Sequence, residues 1–433
     1  MKGIFMPSPT QVRAYGLLAI CSVGVLLLMA GCTRTDSPAS TPATSSAASS
    51  TFSAPTTAPV VEEARTYVGD AACGGCHHDI SQIHHNSNHA LTLHAMEIGS
   101  VGKATPPVGH ITGLPFMLKT VKNGYYIDTY PPSGAVQKMD YAFGTGKHGV
   151  TYASVMPDNH LLEMRASYFP RTRQWRTTPG QEKFPHDVAG RVYAAEFSRK
   201  CLGCHVVTLP PQALTPERRF LGVGCEACHG PASAHVAVME ARPRGTTLAD
   251  PHIERIKTWG AQRINEMCGK CHGTADSVGS SRPDLLLTPR FQPYALMLSR
   301  CFQESKDTLS CVTCHNAHQN TSHDQKAYEA ACLNCHAGKA QDTGEKAQSK
   351  IQNPKSITAP VSGKTCPVNP RTGCVGCHMP TGRVMPGSMV SSVAPDHYIR
   401  VYRPEQEAAE TRQRREHAAS PPTNFPMMNN SVP

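Results

Sequence analysis

The sequence predicts a mainly α, loop-rich fold wrapped around a stack of prosthetic groups, with a small β insertion at about residues 110–170. Three observations predict it. The pentapeptide Cys-x-x-Cys-His recurs seven times between Cys73 and His378. The 36 prolines and 34 glycines interrupt any long helix and demand many turns. Between His110 and Pro170 the texture changes to short apolar runs flanking turn residues.

The first cysteines of the seven units are Cys73, Cys201, Cys225, Cys268, Cys311, Cys332 and Cys374. The second are Cys76, Cys204, Cys228, Cys271, Cys314, Cys335 and Cys377, and the histidines are His77, His205, His229, His272, His315, His336 and His378. From 18 Cys and 22 His, chance would produce only roughly 0.04 such pentapeptides. The unit is the attachment signature of c-type haem: two thiols add to the porphyrin vinyl groups and the histidine ligates iron. In a helical turn, residues three and four apart share a face, so both cysteines meet one porphyrin edge while the histidine reaches its centre. Structural zinc, the rival reading, would not require a histidine at the fifth position every time. The expected cofactor is therefore haem c, seven copies, covalently attached.

The formal charge of +10 invites a nucleic-acid or acidic partner. Haem removes most of that invitation. Loss of the leader leaves about +8, and each ferric haem with two ionised propionates contributes about −1, so the oxidised holoprotein sits near +1. The excess of Lys and Arg reads as charge balance for propionates, with no nucleic-acid partner expected.

In chain order, residues 1–31 form a lipoprotein signal peptide. Lys2 and Arg13 precede an apolar run from Gly16 to Ala30, too short for a membrane span. Small residues before Cys32 look like a bacterial lipobox, although Met29 stands where Leu is usual. Cleavage there would leave a lipid anchor on Cys32 that holds the protein on a membrane. Residues 32–64 are a Ser/Thr/Ala/Pro tether that cannot bury a core. Residues 65–403 form the haem domain, and 404–433 a disordered tail.

Within the domain, a helix after Cys73 carries His84, His85, His89 and His94. Asn123-Gly124 reads as a hairpin turn, and Pro157-Asp158-Asn159 as a second turn. From Cys201 the first cysteines are spaced by 24, 43, 43, 21 and 42 residues, which suggests that units two and three, and units five and six, form close pairs.

Linked motifs carry a resemblance. They are Ser87-Asn88-His89-Ala90, Gly144-Thr145-Gly146-Lys147-His148, Gly224 to Pro231 around the third unit, Ser299-Arg300-Cys301 ahead of Cys311 to His318, and Cys377-His378-Met379-Pro380 with Asp396-His397. Across about Tyr67 to Arg403 the chain resembles bacterial multihaem c-type cytochromes, a type often fused to tetratricopeptide repeats. More distantly it resembles the tetrahaem cytochromes of ammonia oxidisers. No such repeats follow His397. The resemblance implies the multihaem cytochrome c fold and distal iron ligands His89, His148, His235, His318 and His397. His318, three residues after His315, cannot reach round its own haem and must serve a neighbour; His235 is similarly placed. Two irons stay unassigned, with His94, His110, His186, His252 and His323 as candidates. Cys301 and Cys366 lie outside the units, and in an exported chain they are expected to pair.

These readings imply a cytochrome relaying electrons between periplasmic or outer-membrane redox protein partners, exported and lipid-anchored. The alternative is a haem oxidoreductase acting on a small nitrogen or sulfur compound at one five-coordinate haem. No Cys-x-x-Cys-Lys variant occurs.

Overall fold

A computed structural model of the chain describes residues 65–99, 102, 105–130, 136–185, 188–243, 246, 250–278, 291–336, 365–369, 371–384 and 392–401. All lie in the second of two compact units, Glu63–Pro433. The signal peptide, Cys32, the tether, His186 and the tail lie outside the described residues.

Apolar side chains at alternate positions build ten antiparallel strands: β1 Leu93–Ala95, β2 Gly109–His110, β3 Phe116–Val121, β4 Gly124–Thr129, β5 Gln137–Met139, β6 Tyr141–Phe143, β7 Val150–Val155, β8 Leu161–Phe169, β9 Gln174–Thr177 and β10 Gly190–Tyr193. One sheet has the order β2-β3-β4-β5; the other runs β1-β6-β7-β8-β10, with β9 also paired to β8. The β region is thus larger than the expected insertion, reaching from residue 93 to residue 193 as two sheets. Its outer members β1 and β10 are too short for alternation to reveal. They become strands by pairing, Leu93 opposite Phe143 and Tyr193 opposite Leu161. The β3–β4 hairpin turns at Lys122-Asn123, one residue earlier than Asn123-Gly124, with Val121 opposite Gly124 and Lys122 at φ 52°.

The two sheets share one core. Phe116, Leu118, Tyr125, Ile127 and Met139 from the first meet Ala142, Val150, Tyr152, Met164 and Tyr168 from the second. Because side chains alternate along a strand, Tyr141, next to Ala142, points to the opposite face. There it packs with Leu93, Leu202, Val206 and Leu214, and its hydroxyl donates to the Leu214 carbonyl at 3.2 Å. Burial pushes the Tyr141 pKa up to about 12. This second cluster fastens the sheet to the second haem unit, since Leu202 lies between Cys201 and Cys204.

The haem units ride on short helices. These are α1 Asp70–Gly74, α3 Ala195–Gly203, α4 Cys225–His229, α6 Ala261–His272, α10 Cys311–Cys314, α11 Gln325–His336 and α12 Cys374–His378. Between them lie α2 His78–His85, α5 Ser233–Ala241, α7 Ala275–Val278, α8 Gln292–Leu298 and α9 Arg300–Gln303; a hairpin of β11 Thr381–Val384 and β12 Ser392–Pro395 follows α12. Among the described residues, strands dominate from Leu93 to Tyr193 and helices elsewhere, apart from the β11–β12 hairpin. Gly222 is required at φ 81°, where any Cβ would run into the Ala90 carbonyl. That close approach seats the turn after His89 against the third unit. Among the described residues, no helix is long and apolar enough to cross a membrane.

Candidate haem-binding site

The seven unit helices face one continuous cavity of about 3340 Å³, several times a single small-molecule site of up to about 1000 Å³. All seven unit histidines line it, as do all the unit cysteines except Cys201. His89, His235, His318 and His397 line it too.

Four unit histidines each face a histidine from outside the units across this space. His77 and His235 have ring centres 6.5 Å apart with an interplanar angle of 19°. For His229 and His318 the values are 6.3 Å and 2°, for His315 and His397 6.2 Å and 33°, and for His89 and His272 6.1 Å and 73°. Rings in direct contact would lie closer. With metal–nitrogen bonds of about 2 Å and ring centres about 1.1 Å behind each nitrogen, two imidazoles on one metal stand roughly 6 Å apart. The four separations fit an iron between each pair, so the residues present suit the cofactor.

Outer contacts orient several of these rings. Nδ1 lies 3.0 Å from the Glu254 carbonyl in His229, 2.6 Å from that of Pro251 in His235, 3.0 Å from that of Arg400 in His378 and 3.0 Å from that of Pro395 in His397. A carbonyl there fixes the tautomer and leaves Nε2 for metal. In His205, Nδ1 lies 2.8 Å from the Thr92 hydroxyl, and Phe143 sits edge-on at 5.0 Å. Burial lowers the pKa of His84, His318 and His397 and takes His315 down to about 4. These rings are thus held neutral, the form that ligates metal.

Other expected residues fall elsewhere. His148 is exposed on the glycine loop and does not line the cavity. His94 is half-buried in β1, and His110 packs on Tyr130 at 4.2 Å. His252 lies 3.7 Å from Asp250 at the surface. His323 and the buried His84 do line the cavity. Asp70, His84 and Cys225 offer ligand atoms within 4.8 Å of one another. Cys225 is also the first cysteine of the third unit, so the trio overlaps the expected haem attachment. Cys301 and Cys366 are both free thiols, which corrects the expected bridge. Cys301 lines the cavity, and Cys366 accepts the Asn369 N–H at 3.4 Å.

Spatial neighbours differ from sequence neighbours. Asp70 Oδ1 accepts the Cys225 N–H at 2.9 Å, Cys204 Sγ lies 3.8 Å from the Lys270 carbonyl, and Asn265 Oδ1 accepts the Cys311 N–H at 2.9 Å. Glu329 Oε1 accepts the Gly373 N–H at 2.6 Å, tying the sixth unit to the seventh. The first unit therefore abuts the third, and the second abuts the fourth, contacts that spacing did not suggest. Polar side chains that sequence reasoning missed bind these helices together, among them Asp70, Glu226, Asn265 and Glu329. Each reads in sequence as an ordinary helix-surface residue, so no signal marked it.

Residues 169–230 match the family of cytochrome c554 and c-prime. That stretch holds the second and third units. Together with the attachment units lining one cavity, it supports a multihaem c-type cytochrome that binds haem covalently and transfers electrons. The fold is similar to that of the outer cell wall cytochrome OcwA, at 17% identity and a TM-score of 0.43 over 80% of this chain and 82% of that one. It is also similar to the undecahaem cytochrome from the S-layer of Carboxydothermus ferrireducens, at 16% identity and a TM-score of 0.35 over 78% of this chain and 52% of that one. No curated protein matches the chain in sequence.

Proposed function

We propose that the chain is an exported, lipid-anchored heptahaem cytochrome that relays single electrons between redox protein partners, at the periplasmic face of a membrane or at the outer membrane. The observation that carries this reading is the set of four histidine pairs, 6.1–6.5 Å apart, in one cavity lined by all seven units. His77 with His235, His229 with His318, His272 with His89 and His315 with His397 are the axial pairs. At those four irons two imidazoles would leave no open position, which suits transfer. The haem supplies the redox chemistry; the chain sets each potential through ligand, burial and nearby charge.

Two measurements test the reading. Intact mass of the holoprotein should show seven haems, and electron paramagnetic resonance of the ferric protein should be dominated by low-spin signals. A shortfall in mass, or a spectrum dominated by high-spin haem, sinks it. For the anchor, Cys32→Ser should move the protein from the membrane fraction to the soluble one, and retention on the membrane would exclude lipidation at Cys32.

A further inference from the structure

Three units carry, three residues before the first cysteine, a polar side chain that reaches into a different unit. Asp70 Oδ1 accepts the Cys225 N–H at 2.9 Å, Asn265 Oδ1 the Cys311 N–H at 2.9 Å, and Glu329 Oε1 the Gly373 N–H at 2.6 Å. These N–H groups open α4, α10 and α12, where backbone donors have no partner within the helix. Each later helix is thus capped by a side chain from an earlier one.

The helices repeat the pattern. α1 packs on α4, α6 on α10, and α11 on α12. Segments far apart in sequence converge on one geometry, which chance capping would not produce three times.

The couples differ in one respect. The cap is a carboxylate in the first and third but an amide in the second. Asn265 is fully buried and Glu329 is 7% exposed, so water screens little at either site. Each carboxylate lies against the backbone of an attachment unit, Asp70 on Cys225 itself and Glu329 on Gly373, the residue before Cys374. Negative charge beside a haem favours its ferric state.

We propose that these clasps hold the haems in three couples, first with third, fourth with fifth and sixth with seventh. Their charge sets the middle couple at a higher reduction potential than the other two. The inference rests on the seven-haem reading.

The test uses full-length holoprotein. Glu329→Gln keeps an acceptor oxygen on the Gly373 N–H and removes the charge. Two one-electron steps should move up, each by about tenfold in the redox equilibrium constant, or 59 mV. The other five should stay, and the melting temperature should hold. Glu329→Leu should move the same two steps and also lower the melting temperature, because Gly373 N–H then loses its acceptor. A Glu329→Gln protein with seven haems and an unshifted titration overturns the role of charge. Iron positions from cryo-electron microscopy in which the sixth and seventh haems are not nearest neighbours overturn the couples. A wild-type mass short of seven haems defeats the seven-haem reading itself, before any variant is compared.

Discussion

His318→Ala is expected to leave all seven haems attached and to turn one of them high-spin. Attachment at Cys225 and Cys228 is covalent and does not use His318. Across the cavity, His318 faces His229 with rings parallel to within 2° at 6.3 Å, too far for ring stacking and right for a shared iron. Alanine removes one strong-field nitrogen and leaves the iron an open position. The ferric spectrum should lose one low-spin signal and gain one high-spin signal, and the reduced protein should bind about one carbon monoxide more per chain than the wild type. The same measurement on His148→Ala should show no change, since His148 stands exposed and off the cavity. If every iron stays low-spin in His318→Ala, the pairing of His318 with His229 is wrong.

The contrast between those two histidines shows where sequence stops informing. The attachment units were legible because their chemistry is local: two thiols and an imidazole must lie within one helical turn. The partner imidazoles come from elsewhere. Which histidine faces which depends on how α4 meets the segment after α10, or α6 the turn after His89, and those meetings leave no mark within a short window. His318 could be assigned to a neighbouring haem on geometry alone, yet the neighbour itself could not be named. Spacing did not show every couple either, since the Cys225 N–H donates to Asp70, 155 residues earlier and three before Cys73. In the β region, Phe116–Val121 and Val150–Val155 are long enough to read. Leu93–Ala95 and Gly190–Tyr193 are defined by their partners. The bridge expected between Cys301 and Cys366 failed for a related reason, because exposure to an oxidising compartment says nothing of distance.

Glu226 should prove the costliest single side chain to remove outside the iron ligands. It sits inside the third unit, between Cys225 and Ala227, and is only 2% exposed. Its carboxylate accepts the Val68 N–H at 3.0 and 3.1 Å, the Gly69 N–H at 2.7 Å and the Ala232 N–H at 2.9 Å. Three backbone donors from two segments thus converge on one anion. Beside it, Thr66 and Ser233 exchange two hydrogen bonds, Thr66 N–H to Ser233 Oγ at 2.8 Å and Ser233 N–H to the Thr66 carbonyl at 3.1 Å. This clamp ties the start of the folded region, just ahead of the first haem unit, to the third unit. Glu226→Ala would strand all three N–H groups where water is scarce. At about 1–3 kcal/mol for each stranded donor, offset by some water entry, the loss should reach about 3–5 kcal/mol. Glu226→Gln keeps one acceptor oxygen but turns an amide NH₂ toward a backbone N–H, so it should recover only part of that loss. Guanidinium unfolding of the holoprotein, followed by circular dichroism in the Soret band, would rank the three proteins. The expected order of stability is wild type, then Gln, then Ala. A Glu226→Ala protein as stable as wild type would mean that water satisfies these donors equally well. The carboxylate would then act on the neighbouring haems through its charge alone.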